Sequence, residues 1–253
     1  MVERLWGKRL GERADNLIKR AEYSRSTAAR IAHRICDMID VDYYNPFNCL
    51  VGPTKTKGRI LEKAKTDYDG HVEAVSDGCR FMILFDDPRT IDKVRDKIIP
   101  GKNPSEFSTY LDRTDFDFLK PPKDMFDTPK KWGYMGFLLK FQPQRKLNLY
   151  TPFEIQITHR DLQNTYYPET HDLYESRRKQ IELYEQAGIH PSRWDHTTLG
   201  TVQSMIEIHR DGAYATGVAD YVNNWPSLDS IRILDHEDDI TALDYEPFDY
   251  SMN

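Results

Sequence analysis

The segment Thr151–Arg160, TPFEIQITHR, decides how this chain is read. Glu154, Ile155, Gln156 and Ile157 alternate polar with apolar, the period of a half-buried strand. A repeat of two aims Glu154 and Gln156 at one face and the isoleucines at the other. The pattern leaves two uses open for the polar face. It is either solvated, as antiparallel sheet faces commonly are, or a carboxylate and an amide aimed together at a ligand. A polar, aromatic-rich helix begins near His159.

Working outward, GYMGFLLKFQ (133–142) reads as the antiparallel partner of PFEIQIT, joined by the turn PQRKLN (143–148). CRFMILFDD (79–87) reads as a buried strand stopped by Asp86, Asp87 and Pro88. TIDKVRDKII (90–99) follows as a helix ended by Pro100 and Gly101. Upstream, the periodicity predicts helices over 9–22 and 25–40. The second carries Ala28, Ile31, Ala32, Ile35 and Ile39 on one face, with Ser24 or Ser26 as a cap. YYNPFNCLVGPT (43–54) reads as a turn, a short strand and a Gly-Pro break, and KGRILEKAK (57–65) as a basic helix. Residues 102–131 read as a Pro- and Asp-rich irregular connection. Downstream come a long helix over 160–187, interrupted at Pro168 and ended at Gly188, and helices near 197–209 and 214–224. This order predicts an α/β (α+β) fold, a mixed β-sheet flanked by helices. The expected division is N-terminal helices (1–44), a core (45–187), then C-terminal helices and an acidic tail (188–253).

Composition narrows the function classes. At 253 residues the chain makes one large domain or one domain with helical extensions. No apolar run approaches the roughly 18 residues that span a bilayer, and the N-terminus is too charged for a signal peptide. The expectation is a cytoplasmic protein with no membrane partner. The three cysteines lack CxxC spacing and the histidines lack the spacing of a helical metal pair, which argues against a disulfide framework or structural zinc. The net charge of −6 argues against duplex DNA as a partner. Charge is nonetheless uneven. Five basic residues and one acid lie between Lys55 and Lys65, whereas Asp235–Asn253 holds seven acids and no Lys or Arg. A local phosphate site stays open.

Five pieces then stand in a telling order: GPTKTKGRILEK (52–63), VSDGCRFMILF (75–85), TPKKWGYMGF (128–137), EIQI (154–157) and ETHDLYE (169–175). Together they resemble the synthetase domain of the RelA/SpoT family, which includes the small alarmone synthetases, over roughly residues 45–180. The resemblance implies a nucleotidyltransferase-like synthetase fold. It also implies transfer of pyrophosphate from ATP to a ribose hydroxyl, usually the 3′-OH of GDP or GTP, with Mg²⁺ as cofactor. Members that act as toxins use the 3′ end of tRNA instead.

The resemblance assigns roles residue by residue. Lys55 and Lys63 fall at phosphate-binding lysines, with Lys57 and Arg59 adding local positive charge. Glu154 falls at the metal-binding glutamate of an E-x-Q strand, with Gln156 two residues on. Gly78 and Arg80 match a D-x-x-G-x-R segment. Tyr134 falls at the ring that stacks on the acceptor base, Lys130 at an acceptor-phosphate contact, and Gly133 at a close backbone approach. His171 and Tyr174 match an H-x-x-x-Y helix, one residue short. Four positions depart: Val75 stands where the second metal-binding Asp would be, Pro53 at an Arg, Leu138 at a His and Thr158 at an Arg. Asp77, two residues beyond Val75, is the expected substitute ligand, sharing the strand face if a bulge re-aims it. The departures leave three uses in play: alarmone synthesis on a guanine nucleotide, the same chemistry on tRNA, and an inactive nucleotide-binding module.

Overall fold

In a computed structural model the described residues are 2–100, 105–144, 149–189 and 196–226. In chain order the elements are α1 (Val2–Ile39), β1 (Cys49–Val51), α2 (Lys57–Asp67), β2 (Arg80–Phe85), α3 (Thr90–Lys97), α4 (Glu106–Leu111), β3 (Phe116–Phe118), β4 (Lys123–Asp124), β5 (Phe137–Pro143), β6 (Phe153–His159), α5 (Tyr167–Gln186) and α6 (His196–Thr216). The sheet runs β1-β2-β6-β5-β3, with β4 also on β5. Only β2 and β6 pair in parallel; the rest is antiparallel. A mixed sheet flanked by helices is therefore the architecture, as the element order predicts.

One sheet face is mainly apolar, with His159 and Asp124 at its edges. Phe81, Ile83, Phe85, Phe153, Ile155, Ile157, Phe137, Leu139 and Phe141 are buried, and α1 covers them with Ala28, Ile31, Ala32, Ile35 and Ile39. Each large side chain buried there stabilises the fold by about 1.5–3 kcal/mol. A smaller apolar cluster joins α1 to α2 through Ala14, Leu17, Ile60, Ala64, Val72 and Val75.

Four local expectations are revised. Helix α1 is continuous, because Ser24 does not cap. It is buried against the β6 side of the sheet, where its hydroxyl donates to the Thr151 carbonyl and accepts from the Thr151 N–H, both at 2.9 Å. Tertiary hydrogen bonds win over the local capping signal. The 102–131 connection holds α4, β3 and β4, and Ser105 caps α4 by accepting from the Ser108 N–H. The break in the long helix precedes Pro168: a π-helical turn spans Leu162–Tyr166 before α5. The two helices expected near 197–224 are one helix, α6, followed by a short 3₁₀ turn over Val218–Tyr221. The acidic tail lies outside the described residues.

Candidate functional site

The second sheet face carries the chemistry, and strand register lays it out in rows. Paired residues on neighbouring strands share a face, so Arg80 (β2), Glu154 (β6) and Lys140 (β5) form one charged row. The next row is Leu50, Met82, Gln156, Leu138 and Lys123, and beyond it Leu84 and Thr158 lie side by side. Leu50, Met82 and Leu84 form an apolar floor separate from the main core.

Glu154 is 6% exposed and held on both sides. Gln156 Nε2 donates to its Oε1 at 2.7 Å, and Lys140 Nζ lies 3.5 Å from its Oε2. Gln156 in turn accepts from the Tyr134 hydroxyl at 3.2 Å. The opening question thus has an answer: the carboxylate and the amide that share a face are bonded to each other, on a covered and charged surface.

Asp77 is not on the strand. β2 begins at Arg80, and Val72–Ala74 form a 3₁₀ turn before it. Val75 is wholly buried in the cluster between α1 and α2. The turn is anchored from α1, where Arg13 Nε donates to Glu73 Oε1 at 2.6 Å. Burying Val72 and Val75 sends the chain away from the sheet until Gly78, and no strand parity operates there. Asp77 is nonetheless buried, with Lys63 Nζ 2.7 Å and Lys55 Nζ 3.4 Å from its Oδ2. The buried Oδ1 has no hydrogen-bond partner.

Lys55, just before α2, and Lys63, on α2, therefore converge on one carboxylate. Thr56 caps that helix by accepting from the Arg59 N–H at 3.4 Å. Arg59 pairs with Glu62 one turn on, at 2.9 Å. Tyr134 is 5% exposed, and its ring stacks on Tyr167 at 4.7 Å. That ring face is thus taken by Tyr167. Lys130 lines a cavity of about 430 Å³ with Lys123, Asp124, Lys131 and Trp132. Gly133 has φ +95°, and a Cβ there would lie 2.8 Å from His209 Cβ. The close approach it permits is to α6. His171 is half-buried on α5, one turn before Tyr174, whose ring packs on Trp132 at 5.4 Å.

Three residues escaped sequence reasoning. Lys140 looked like an ordinary strand lysine until register set it opposite Glu154. Lys123 joins the site only because β4 pairs with β5. Tyr167 supports Tyr134, and its hydroxyl donates to the Met135 carbonyl; burial pushes that phenol well above its usual pKa. Behind it, His209 packs edge-on to Tyr167 at 5.1 Å, and burial holds its imidazole down at about 3.

Among the described residues no group of three or more His, Cys, Asp or Glu forms a ready-made metal cage. Mg²⁺, however, is commonly held by one or two carboxylates plus substrate phosphates. Glu154 and the partnerless Asp77 oxygen fit that mode.

No family model and no curated protein sequence matches the chain. Solved structures do. The small alarmone synthetase 1 from Bacillus subtilis, bound to its product pppGpp, is 14% identical with a TM-score of 0.43, over 86% of this chain and 94% of that one. A GTP pyrophosphokinase family protein from Streptococcus pneumoniae is 14% identical with a TM-score of 0.40, over 81% and 92%. The Type VI effector Tas1, solved with its immunity protein, is 14% identical with a TM-score of 0.47, over 78% and 96%. The chain is similar to small alarmone synthetases. With every one of these TM-scores below 0.5, function has to be read from this chain's own side chains. Among the described residues no helix is long and apolar enough to cross a membrane.

Proposed function

We propose that this chain binds ATP with Mg²⁺ and transfers pyrophosphate from it to a hydroxyl of an acceptor nucleotide, with a guanine nucleotide as the first choice. One observation carries the reading: Lys55, Lys63, Arg80 and Lys140 gather around Asp77 and Glu154 in a covered site. A covered cluster of cations draws anions to it, and a polyphosphate is an anion of the right kind.

In this reading Lys55 and Lys63 donate charge-assisted hydrogen bonds to the triphosphate. Glu154 and Asp77 would hold the Mg²⁺, which when bound would offset charge on the phosphate oxygens. Gln156 fixes the Glu154 carboxylate, and Tyr134 fixes Gln156. Tyr134 contacts the acceptor base, and the cavity bearing Lys123, Lys130 and Lys131 takes its phosphates. The acceptor oxygen bonds to the β-phosphorus, the α–β bridge breaks, and AMP leaves. The apolar Leu138 in the row beside Gln156 favours a second reading, in which the acceptor is the 3′ end of tRNA.

The test is incubation with ATP, Mg²⁺ and GDP, GTP or deacylated tRNA, following AMP release and the labelled acceptor. Product on GDP or GTP supports the first reading, and product on tRNA alone supports the second. ATP binding with no product on any acceptor overturns both and leaves a nucleotide-binding module.

A further inference from the structure

The two carboxylates of the site are not held alike. Asp77 takes both of its lysines on Oδ2 and leaves the buried Oδ1 without a partner. Glu154 has both oxygens engaged, Oε1 by the neutral amide of Gln156 and Oε2 by the ammonium of Lys140. The Lys140 side chain is 16% exposed and that of Glu154 is 7% exposed, so solvent screens the pair poorly. Lys140 also donates to Ser76 Oγ at 3.4 Å, which holds its ammonium between Glu154 and the connection that bears Asp77. A cation arriving at Asp77 meets an open oxygen. One arriving at Glu154 meets a positive charge already in place, and the two repel.

We propose that Lys140 is a positioning residue that reserves Oε2 of Glu154, so that a divalent cation settles there only when it arrives with a polyphosphate. The exchange is electrostatic. A bare divalent ion would displace the ammonium and leave it buried with no counter-charge, which is unfavourable. A metal–triphosphate chelate brings oxygens onto which Lys140 can move as it leaves Glu154. The residue thereby couples metal binding to nucleotide binding. This inference rests on the reading of Glu154 as a cation-holding carboxylate.

The experiment measures Mn²⁺ binding to the full chain by electron paramagnetic resonance, alone and with a non-hydrolysable ATP analogue. For the wild type, binding should be weak alone and much tighter with the analogue. Lys140→Gln should raise the affinity for Mn²⁺ alone by about tenfold and shrink the enhancement by the analogue by a similar factor. Lys140→Arg, which keeps the charge, should restore wild-type behaviour. A merely structural lysine would instead weaken both measurements together. Circular dichroism checks that each variant is folded, and Lys140→Met serves if the Gln variant is not. Unchanged affinity for Mn²⁺ alone in the charge-removing variant overturns the proposal, as does an Arg variant that behaves like it. Glu154→Gln separates the two levels. If it weakens Mn²⁺ binding with the analogue while Lys140→Gln leaves Mn²⁺ alone unchanged, only the Lys140 proposal falls. If it changes nothing, the reading of Glu154 falls and the proposal falls with it.

Discussion

Strand β6 and the connection over residues 72–79 each deliver one carboxylate to the same site by different physics. On β6, parity decides. Phe153, Ile155 and Ile157 go to the core, while Glu154, Gln156 and Thr158 go to the other face. In the connection no such rule holds, because the backbone is a 3₁₀ turn and then irregular chain. There each residue goes where its own burial sends it: Val75 into the cluster between α1 and α2, Asp77 onto Lys63 and Lys55. A residue pattern is therefore a reliable guide to side-chain direction on a strand and a poor one three residues outside it.

The largest effect that tests this contrast is Val75→Asp. A regular strand would have put residue 75 in the site, where a carboxylate adds a metal ligand. The observed packing places the new charge among Ala14, Leu17, Ile60 and Ala64. We expect a loss of about 3–5 kcal/mol in urea unfolding and no gain in pyrophosphate transfer. A variant as stable as the wild type and more active would reverse the comparison.

Next come the two carboxylates themselves. Glu154→Gln should cut transfer by about 100-fold or more, a loss of about 2.7 kcal/mol in transition-state stabilisation, while unfolding stability falls by about 1 kcal/mol because the partly exposed Lys140 loses its counter-charge. Asp77→Asn should act on both axes. It removes the counter-charge of two buried lysines, so we expect about 2 kcal/mol off stability and about tenfold weaker ATP binding. If the two variants gave the same profile by calorimetry and kinetics, the distinction between them would fail.

A third prediction probes the buttress behind β6. Burial lowers the His209 pKa from 6.5 to about 3, so the folded chain keeps it neutral while the unfolded chain protonates it below about 6.5. The stability tied to that neutral ring is complete above the unfolded value and is lost as the pH falls toward 3. The slope is about 1.4 kcal/mol per pH unit for one such group. Between pH 6.5 and pH 5 the wild type should lose about 2 kcal/mol more than His209→Gln in paired urea titrations. Parallel curves would show that His209 takes up its proton without leaving its site. The smallest effect is expected at Arg59, whose partner Glu62 is one turn along the same half-exposed helix face. Arg59→Ala should change stability by about 0.5 kcal/mol or less and ATP affinity by under about twofold; a tenfold loss would bring Arg59 into the phosphate site.

Much of this molecule is written in local periodicity. The apolar face of α1, the buried run of β2 and the alternation of β6 are legible because side-chain direction repeats every 3.6 or 2 residues whatever the chain does elsewhere. So were Glu154 with Gln156, and the basic segment holding Lys55 and Lys63. Other features had no local signature. Ser24 has the chemistry of a cap, but its two hydrogen bonds go to Thr151, 127 residues away in sequence. Gly133 signalled a close approach without saying to what, and α6 supplied the answer.

By itself, then, the sequence determined which faces are apolar and which polar residues lie together on one strand, because those are properties of a single element. Tertiary structure decided that Lys140 faces Glu154, that Val75 is core, that Asp77 meets two lysines and that Tyr167 backs Tyr134. Each of these depends on cross-strand register or on the path of a connection. Register and path are set by burying apolar residues far away in the chain, and no local pattern carries that information.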